Sequence, residues 1–201
     1  MKEILKVLFV CCVAFAAYFT AKYYLITKPG EDSEWKASDL RDGTSKFTHL
    51  SKISRRNTEP RRVPIRYLVI HGTANDSSYA DAMWHHQYLD TTSREVSWHA
   101  SIDSMGTVTH FPDSLVCYAA SSRSMNHQSL NIELCQNGGK IAFRTIVKAA
   151  MYIQQKKKEY PNIRVIFHDE VPKYVDDAKL HGKVCPSALS RNDRQYLKEI
   201  K

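Results

Sequence analysis

Three residues stand where a metal ion could be gripped. Tyr67 to His71 is a hydrophobic run that closes on a histidine, and Val165 to His168 is a β-branched and aromatic run that closes on another. Cys185 lies in Gly182-Lys183-Val184-Cys185-Pro186-Ser187. Two imidazoles and a thiolate, each at the edge of a strand or loop, are the ligand set of an open zinc site, whose fourth position is left for water or substrate. His181, four residues before Cys185, is a rival to His168. A strand terminus holds a ligand more rigidly than a loop does, which favours His168. One carboxylate, Glu133, sits inside the apolar stretch Leu130 to Cys135. A charge within a strand needs a structural partner or a catalytic task.

The elements that must position these residues follow from periodicity. Ile65 to Ile70 reads as a buried strand, and Gly72 to Ser78 as a loop. A helix follows from about Tyr79 to Leu89, with Asp76 or Ser77 as its cap. His85 and His86 on it read as surface or hydrogen-bonded helix residues. Val96 to Asp103 alternates like a strand, and Ser104 to Thr107 turns the chain into a partner strand at Val108 to Phe111. Ser121 to Gln128 reads as a polar loop and Leu130 to Cys135 as a central strand. Ala142 to Tyr160 reads as a long helix with Ile146, Ala149, Ala150 and Ile153 on one face. Arg164 to His168 is the next strand, and Asn192 to Ile200 a last short helix. This order predicts an α/β fold in one domain, a mixed central β-sheet flanked by helices.

The 201 residues hold one good-sized domain with sequence to spare. Residues 1–27 carry a basic start and an apolar run. Counted to Ile26 the run is about 20 residues, or roughly 30 Å of helix, enough to cross a bilayer. It reads as a signal peptide or an N-terminal membrane anchor, and either exports the rest of the chain. Residues 28–62 are polar and broken by Pro29-Gly30 and Asp42-Gly43, and read as a linker. Residues 63–201 form the domain. The formal charge of +8 suits polyanions such as an anionic cell-wall polymer. No interleaving of basic and aromatic residues points to nucleic acid. Five cysteines do not make a disulfide scaffold; in the domain only Cys117 and Cys135 could pair if Cys185 binds metal.

Taken together, Ile70-His71-Gly72-Thr73-Ala74-Asn75, Val96-Ser97-Trp98-His99, Ser129-Leu130-Asn131-Ile132-Glu133-Leu134, the strand-ending His168 and Gly182-Lys183-Val184-Cys185-Pro186 form a series. In this order it resembles the zinc-dependent N-acetylmuramoyl-L-alanine amidases of the type 2 family. These include phage endolysins, bacterial autolysins and amidase-type peptidoglycan recognition proteins. The resemblance covers roughly Val63 to Leu189 and is strongest to the phage and Bacillus-type endolysins.

The resemblance implies an amidase-like or peptidoglycan recognition protein-like fold, Zn2+ as cofactor, and hydrolysis of the bond between N-acetylmuramic acid and L-alanine of the stem peptide. His71, His168 and Cys185 match the zinc ligands. Such a site can bring the pKa of water towards about 7. Glu133 matches the acid near the reacting water, and Lys183 matches a basic residue that would face the developing oxyanion. Trp98, His99 and Tyr118 fall where the family lines its substrate cleft, with a structural, hydrogen-bonded role for His99 an equal alternative. Tyr118 replaces a histidine there, and Trp98 stands where some members carry a tyrosine. Sixteen residues separate His168 from Cys185, a long connection for the family, and Val171 to Leu180 is expected to loop out. The partners implied are the stem peptide and muramic acid, with the enzyme a monomer that is anchored or secreted. A non-catalytic wall-recognition module of the same fold is the alternative. The presence of Cys185, whose loss usually marks that role, favours the enzyme.

Overall fold

Leu68 and Ile70 face one side of their strand, Val69 and His71 the other, and this division runs through the whole sheet. The computed structural model describes residues 45–46, 57–180, 182 and 184–201. In chain order the elements are β1 (Ser45–Lys46), β2 (Thr58–Pro60), β3 (Tyr67–Gly72), α1 (Ala82–Thr91), β4 (Ala100–Ile102), β5 (Thr107–Thr109), β6 (Leu115–Cys117), α2 (Arg123–Gln128), β7 (Ser129–Leu134), α3 (Phe143–Glu159), β8 (Arg164–Phe167), a 3-10 turn (His168–Lys173) and α4 (Arg191–Glu199). Six strands form one sheet in the order β1-β5-β4-β7-β3-β8, and β2 pairs with β6 in a second. Strand β3 runs parallel to both β7 and β8, while β4 and β5 form the antiparallel hairpin. The expected mixed sheet with helices on its faces is therefore what forms.

One face is the apolar core. Leu68, Ile70, Leu130, Ile132, Leu134, Ala100 and Ile102 pack there beneath Ile146, Ala149, Ala150 and Ile153 of α3. That helical stripe follows the i, i+3, i+4, i+7 spacing, which keeps it turned to the sheet. Ile153 is fully buried, so truncating it to alanine should cost about 2–5 kcal/mol. Leu197 of α4 closes the same layer. The opposite face carries polar residues at alternate positions, His99, Ser101, Asn131, Glu133 and His71.

The stretch read as a polar linker is not all unpaired: Ser45–Lys46 pairs with β5 and Thr58–Pro60 with β6. Backbone pairing asks for no side-chain pattern, so neither strand is visible in composition. Arg61 then enters the domain, where its guanidinium donates to the carbonyls of Asp113, His127, Leu115 and Ser129. Nor does the stretch 171–180 loop out. Val171 is fully buried with Val69, Ile166, Ala120 and Met125, and Tyr174, Val175, Ala178 and Leu180 pack against them. Asp177 fastens it further, accepting from the Ser122 hydroxyl and the Ser124 backbone N–H.

The expected loop at 121–128 contains α2, capped by Ser122, whose hydroxyl accepts from the Met125 N–H at 3.0 Å. Helix α1 is capped by Asp81, not by Asp76 or Ser77. Cys117 and Cys135 are both free and buried. The apolar run of residues 1–27 lies outside the described residues; among those described, no helix is long and apolar enough to cross a membrane.

Candidate active site

The polar face of the sheet ends in a cavity of about 560 Å³ lined by His71, Glu133, His168, Trp84, Tyr88 and Trp98, among others. His71 arrives as the fifth residue of β3, and Glu133 lies opposite it in the adjacent strand β7. Ser101 of β4 lies opposite Glu133 on its other side. His168 follows β8 directly, so its ring meets that of His71, with centroids 4.3 Å apart. Cys185 enters from the loop after the 3-10 turn. The ligand atoms of His71, His168 and Cys185 all lie within 4.8 Å of one another, and all three side chains are buried.

Local contacts explain how the chain brings these three together. A Cβ on Gly72 would meet the Cβ of Pro186 at 3.0 Å, so the absence of a side chain there lets the Cys185 loop lie against the end of β3. The Asp169 N–H donates to the Cys185 carbonyl at 3.1 Å, tying the two later segments together. The ring orientations are set from behind. Asn131 Oδ1 can only accept, so the 3.1 Å contact with His71 Nε2 places the His71 proton on Nε2 and leaves Nδ1 as the ligand atom. Asn131 is fixed in turn by its own amide, which donates to Ser129 Oγ. Ser121 Oγ lies 3.1 Å from His168 Nε2; with the hydroxyl accepting, the proton sits on Nε2 and Nδ1 can take a ligand role. Ser121 has φ +52, an uncommon conformation for a non-glycine residue, and Lys179 N–H holds its carbonyl.

The cavity wall is aromatic. Trp84 stacks on Tyr88 at 5.7 Å and Tyr88 on Trp98 at 6.3 Å. Trp84 and Tyr88 are four residues apart on α1, the spacing that puts both on one helix face, and this was the signal available in the sequence. Trp98 lines the cavity. Its indole N–H donates to Ser101 Oγ at 2.8 Å, so only its ring face is open to a ligand.

The other two cleft residues named from the sequence do not reach it. His99 is fully buried. The Asn131 N–H donates to its Nδ1 at 3.0 Å, so Nε2 carries the proton and donates to the Leu115 carbonyl. Burial, reinforced by the Arg61 guanidinium beside it, lowers its pKa to about 4 and keeps the ring neutral. Its strand places it on the right face but two residues too deep. Tyr118 points to Glu59 of β2, donating to its carboxylate at 2.7 Å. Burial and that carboxylate push the phenol up to about 12. Strand β2, which captures it, is the element that composition concealed.

Of the remaining candidates, Lys183 and His181 lie outside the described residues. His85 and His86 are buried helix residues. His85 donates from Nδ1 to the Asp81 carbonyl, and His86 meets His110 Nδ1 to Nδ1 at 3.1 Å. Asn131, Ser121, Trp84 and Tyr88 are site residues that sequence reasoning missed.

The chain is 28% identical over 139 residues to the N-acetylmuramoyl-L-alanine amidase CwlH of Bacillus subtilis (strain 168), a match covering 67% of this chain and 52% of that protein. It is 29% identical over 126 residues to the amidase XlyA of the same organism, covering 61% and 40%. The chain thus spans about half the length, or less, of these curated relatives. Among solved structures, the catalytic domain of XlyA superposes with a TM-score of 0.55 at 25% identity, covering 72% of this chain and 90% of that one. A mutant endolysin from Bacillus subtilis superposes with a TM-score of 0.57 at 26% identity, covering 72% and 89%. Residues 61–188, well over half of the sequence, match the family described as N-acetylmuramoyl-L-alanine amidase. On that match, the chain belongs to the N-acetylmuramoyl-L-alanine amidase family.

Proposed function

We propose that this protein hydrolyses the amide bond between N-acetylmuramic acid and L-alanine in peptidoglycan, with zinc held by His71, His168 and Cys185. The observation that carries this reading is the convergence of those three ligand atoms within 4.8 Å, beside Glu133, at one end of an aromatic cleft. The donor set fits the ion. Tetrahedral zinc at about 2.0–2.3 Å from each donor needs them within 4 Å or so of each other, which a small inward shift achieves. Both histidines already have their Nε2 atoms engaged, the support that metal-bound imidazoles ordinarily have. Zinc held there would supply Lewis acidity, able to make water reactive near neutral pH and to polarise the scissile carbonyl.

The protein groups divide the remaining work. Glu133 accepts a proton from the attacking water and returns it to the departing amine of L-alanine, so that the amine leaves neutral. Lys183, two residues before Cys185, donates to the carbonyl oxygen as negative charge gathers there. Trp84, Tyr88 and Trp98 offer flat apolar faces to the sugar or stem peptide. The apolar segment at residues 1–27 exports the domain or tethers it facing the wall, where its positive charge favours anionic polymers and it acts as a monomer.

Metal analysis of the purified protein, together with digestion of isolated peptidoglycan, tests the reading. One zinc per chain and release of free stem peptide bearing an L-alanine amino terminus are expected. A protein that binds the polymer yet holds no stoichiometric zinc and frees no peptide is a recognition module instead.

A further inference from the structure

Arg194 of α4 touches the sequence neighbours of His168 and Cys185. Its guanidinium grips Asp169 with two bonds, Nη1 to Oδ1 at 3.0 Å and Nη2 to Oδ2 at 2.7 Å. Nη2 also donates to the Pro186 carbonyl at 2.9 Å. The same group lies over the Phe167 ring, 4.7 Å from its centroid. One side chain therefore contacts the residues on either side of His168 and the residue after Cys185. Arg194 and Asp169 are each about four-fifths covered. Lys198, one turn further along α4, donates to Glu170 at 2.6 Å, and Glu170 accepts the Phe167 N–H. The start of the 3-10 turn is thus held to α4 at two points.

We propose that Arg194 is a positioning residue that sets the separation of His168 and Cys185 and thereby the metal affinity of the site. The inference rests on the metal reading above. Between the two ligand segments the backbone supplies the Asp169 N–H to Cys185 carbonyl bond, and the length of chain joining them adds little to it. That chain is sixteen residues long, and residues 171–180 pack away from the ligands against Val69, Ile166 and Met125. A planar guanidinium supplies a side-chain cross-link at the two ends: its fork fixes the carboxylate in two dimensions while a further N–H takes the carbonyl. A lysine keeps the charge but forfeits the fork.

The test uses full-length protein with cobalt(II) in place of zinc. A thiolate-to-cobalt charge-transfer band reports Cys185, the visible ligand-field bands report the geometry, and competition with a chromophoric chelator gives zinc affinity. Arg194→Lys and Arg194→Gln should each weaken zinc binding by about 10–100-fold and shift the cobalt bands. An arginine that merely stabilises the fold would lower the unfolding midpoint of the metal-free protein and leave the affinity and spectrum of the folded protein unchanged; that outcome overturns the proposal. Asp169→Asn opens the same clamp from the carboxylate side, and the same readouts apply if the arginine variants do not fold. Wild-type protein lacking cobalt bands altogether would instead remove the metal reading, a result distinct from a normal wild type with unaltered variants.

Discussion

His71 and Glu133 are register partners in the adjacent parallel strands β3 and β7, so their side chains leave the same face of the sheet side by side. The proposed ligand and the proposed proton acceptor are thereby held at a separation fixed by the hydrogen-bond ladder rather than by a loop. Their roles are nonetheless separable by substitution. Glu133→Gln should retain stoichiometric zinc and lose about 10²–10⁴-fold in turnover, the usual size of a general-base contribution. Cys185→Ser should lose zinc and activity together. Zinc analysis beside stem-peptide release distinguishes the two variants, and hydrolysis surviving in both would remove the mechanism.

Asn131 fixes the tautomer of His71 from a fully buried position. Asn131→Ala should weaken zinc binding by about 10-fold or more, and leave Cys185 coordinated. Chelator competition measures the first, and the cobalt charge-transfer band checks the second. An unchanged affinity would mean that His71 is oriented by something other than the amide.

Gly72 gives room to Pro186. In Gly72→Ala the new methyl group meets Pro186 Cβ at 3.0 Å, tighter than ordinary van der Waals contact, so the Cys185 loop must retreat slightly. The expected result is reduced zinc affinity with near-normal secondary structure by circular dichroism. Wild-type affinity would show that the loop gives way without moving its thiolate.

Arg61 satisfies four carbonyls from β6, β7 and their flanking loops. Arg61→Ala leaves them to find water in a half-buried site and should cost about 2–4 kcal/mol. A lower denaturation midpoint at unchanged slope is the expected signature in urea. A protein shortened to begin at residue 63 should lose at least as much.

Four buried histidines make the fold acid-sensitive. Burial lowers the pKa values of His85, His86, His99 and His110, His99 to about 4. In the unfolded chain each titrates near 6.5, so below that pH the unfolded state binds protons that the folded state refuses. Stability is therefore full above about pH 6.5 and falls as pH drops below it, for His99 by about 1.4 kcal/mol per pH unit until its folded value near 4 is reached. Unfolding midpoints measured from pH 7 to pH 4 check this. A flat profile would mean that the rings protonate within the fold.

His71 and His168, two of the proposed ligands, were legible because each closes an apolar run, a pattern that burial in a parallel sheet imposes on sequence; Cys185, in a loop, was legible only through its motif. Helix α3 was legible for the same kind of reason, its apolar stripe spanning two full turns. Strands β1, β2 and β6, of two or three residues, are too short to show a period. Arg61 sits in a run of arginines and polar residues, where a buried guanidinium and a solvated one have identical sequence surroundings. His99 and Tyr118 were drawn to the cleft by their place in a motif. The depth of one along its strand, and the capture of the other by Glu59, depend on partners distant in the chain. Val171 to Leu180 scatters its apolar residues without period, so its role as a packed brace was hidden.

The β2–β6 ladder and the Arg61 anchor also have a mechanical meaning. If the segment before residue 45 is fastened to a surface, a pull on the domain meets the two β1–β5 residue pairs and then β2. There it is borne by three antiparallel residue pairs and by a guanidinium bonded to the flanks of β6 and β7. The ends of β3 and β8, where the ligands sit, come later in the line of force. A protein working on a polymer under tension would keep its catalytic geometry while its tether strains.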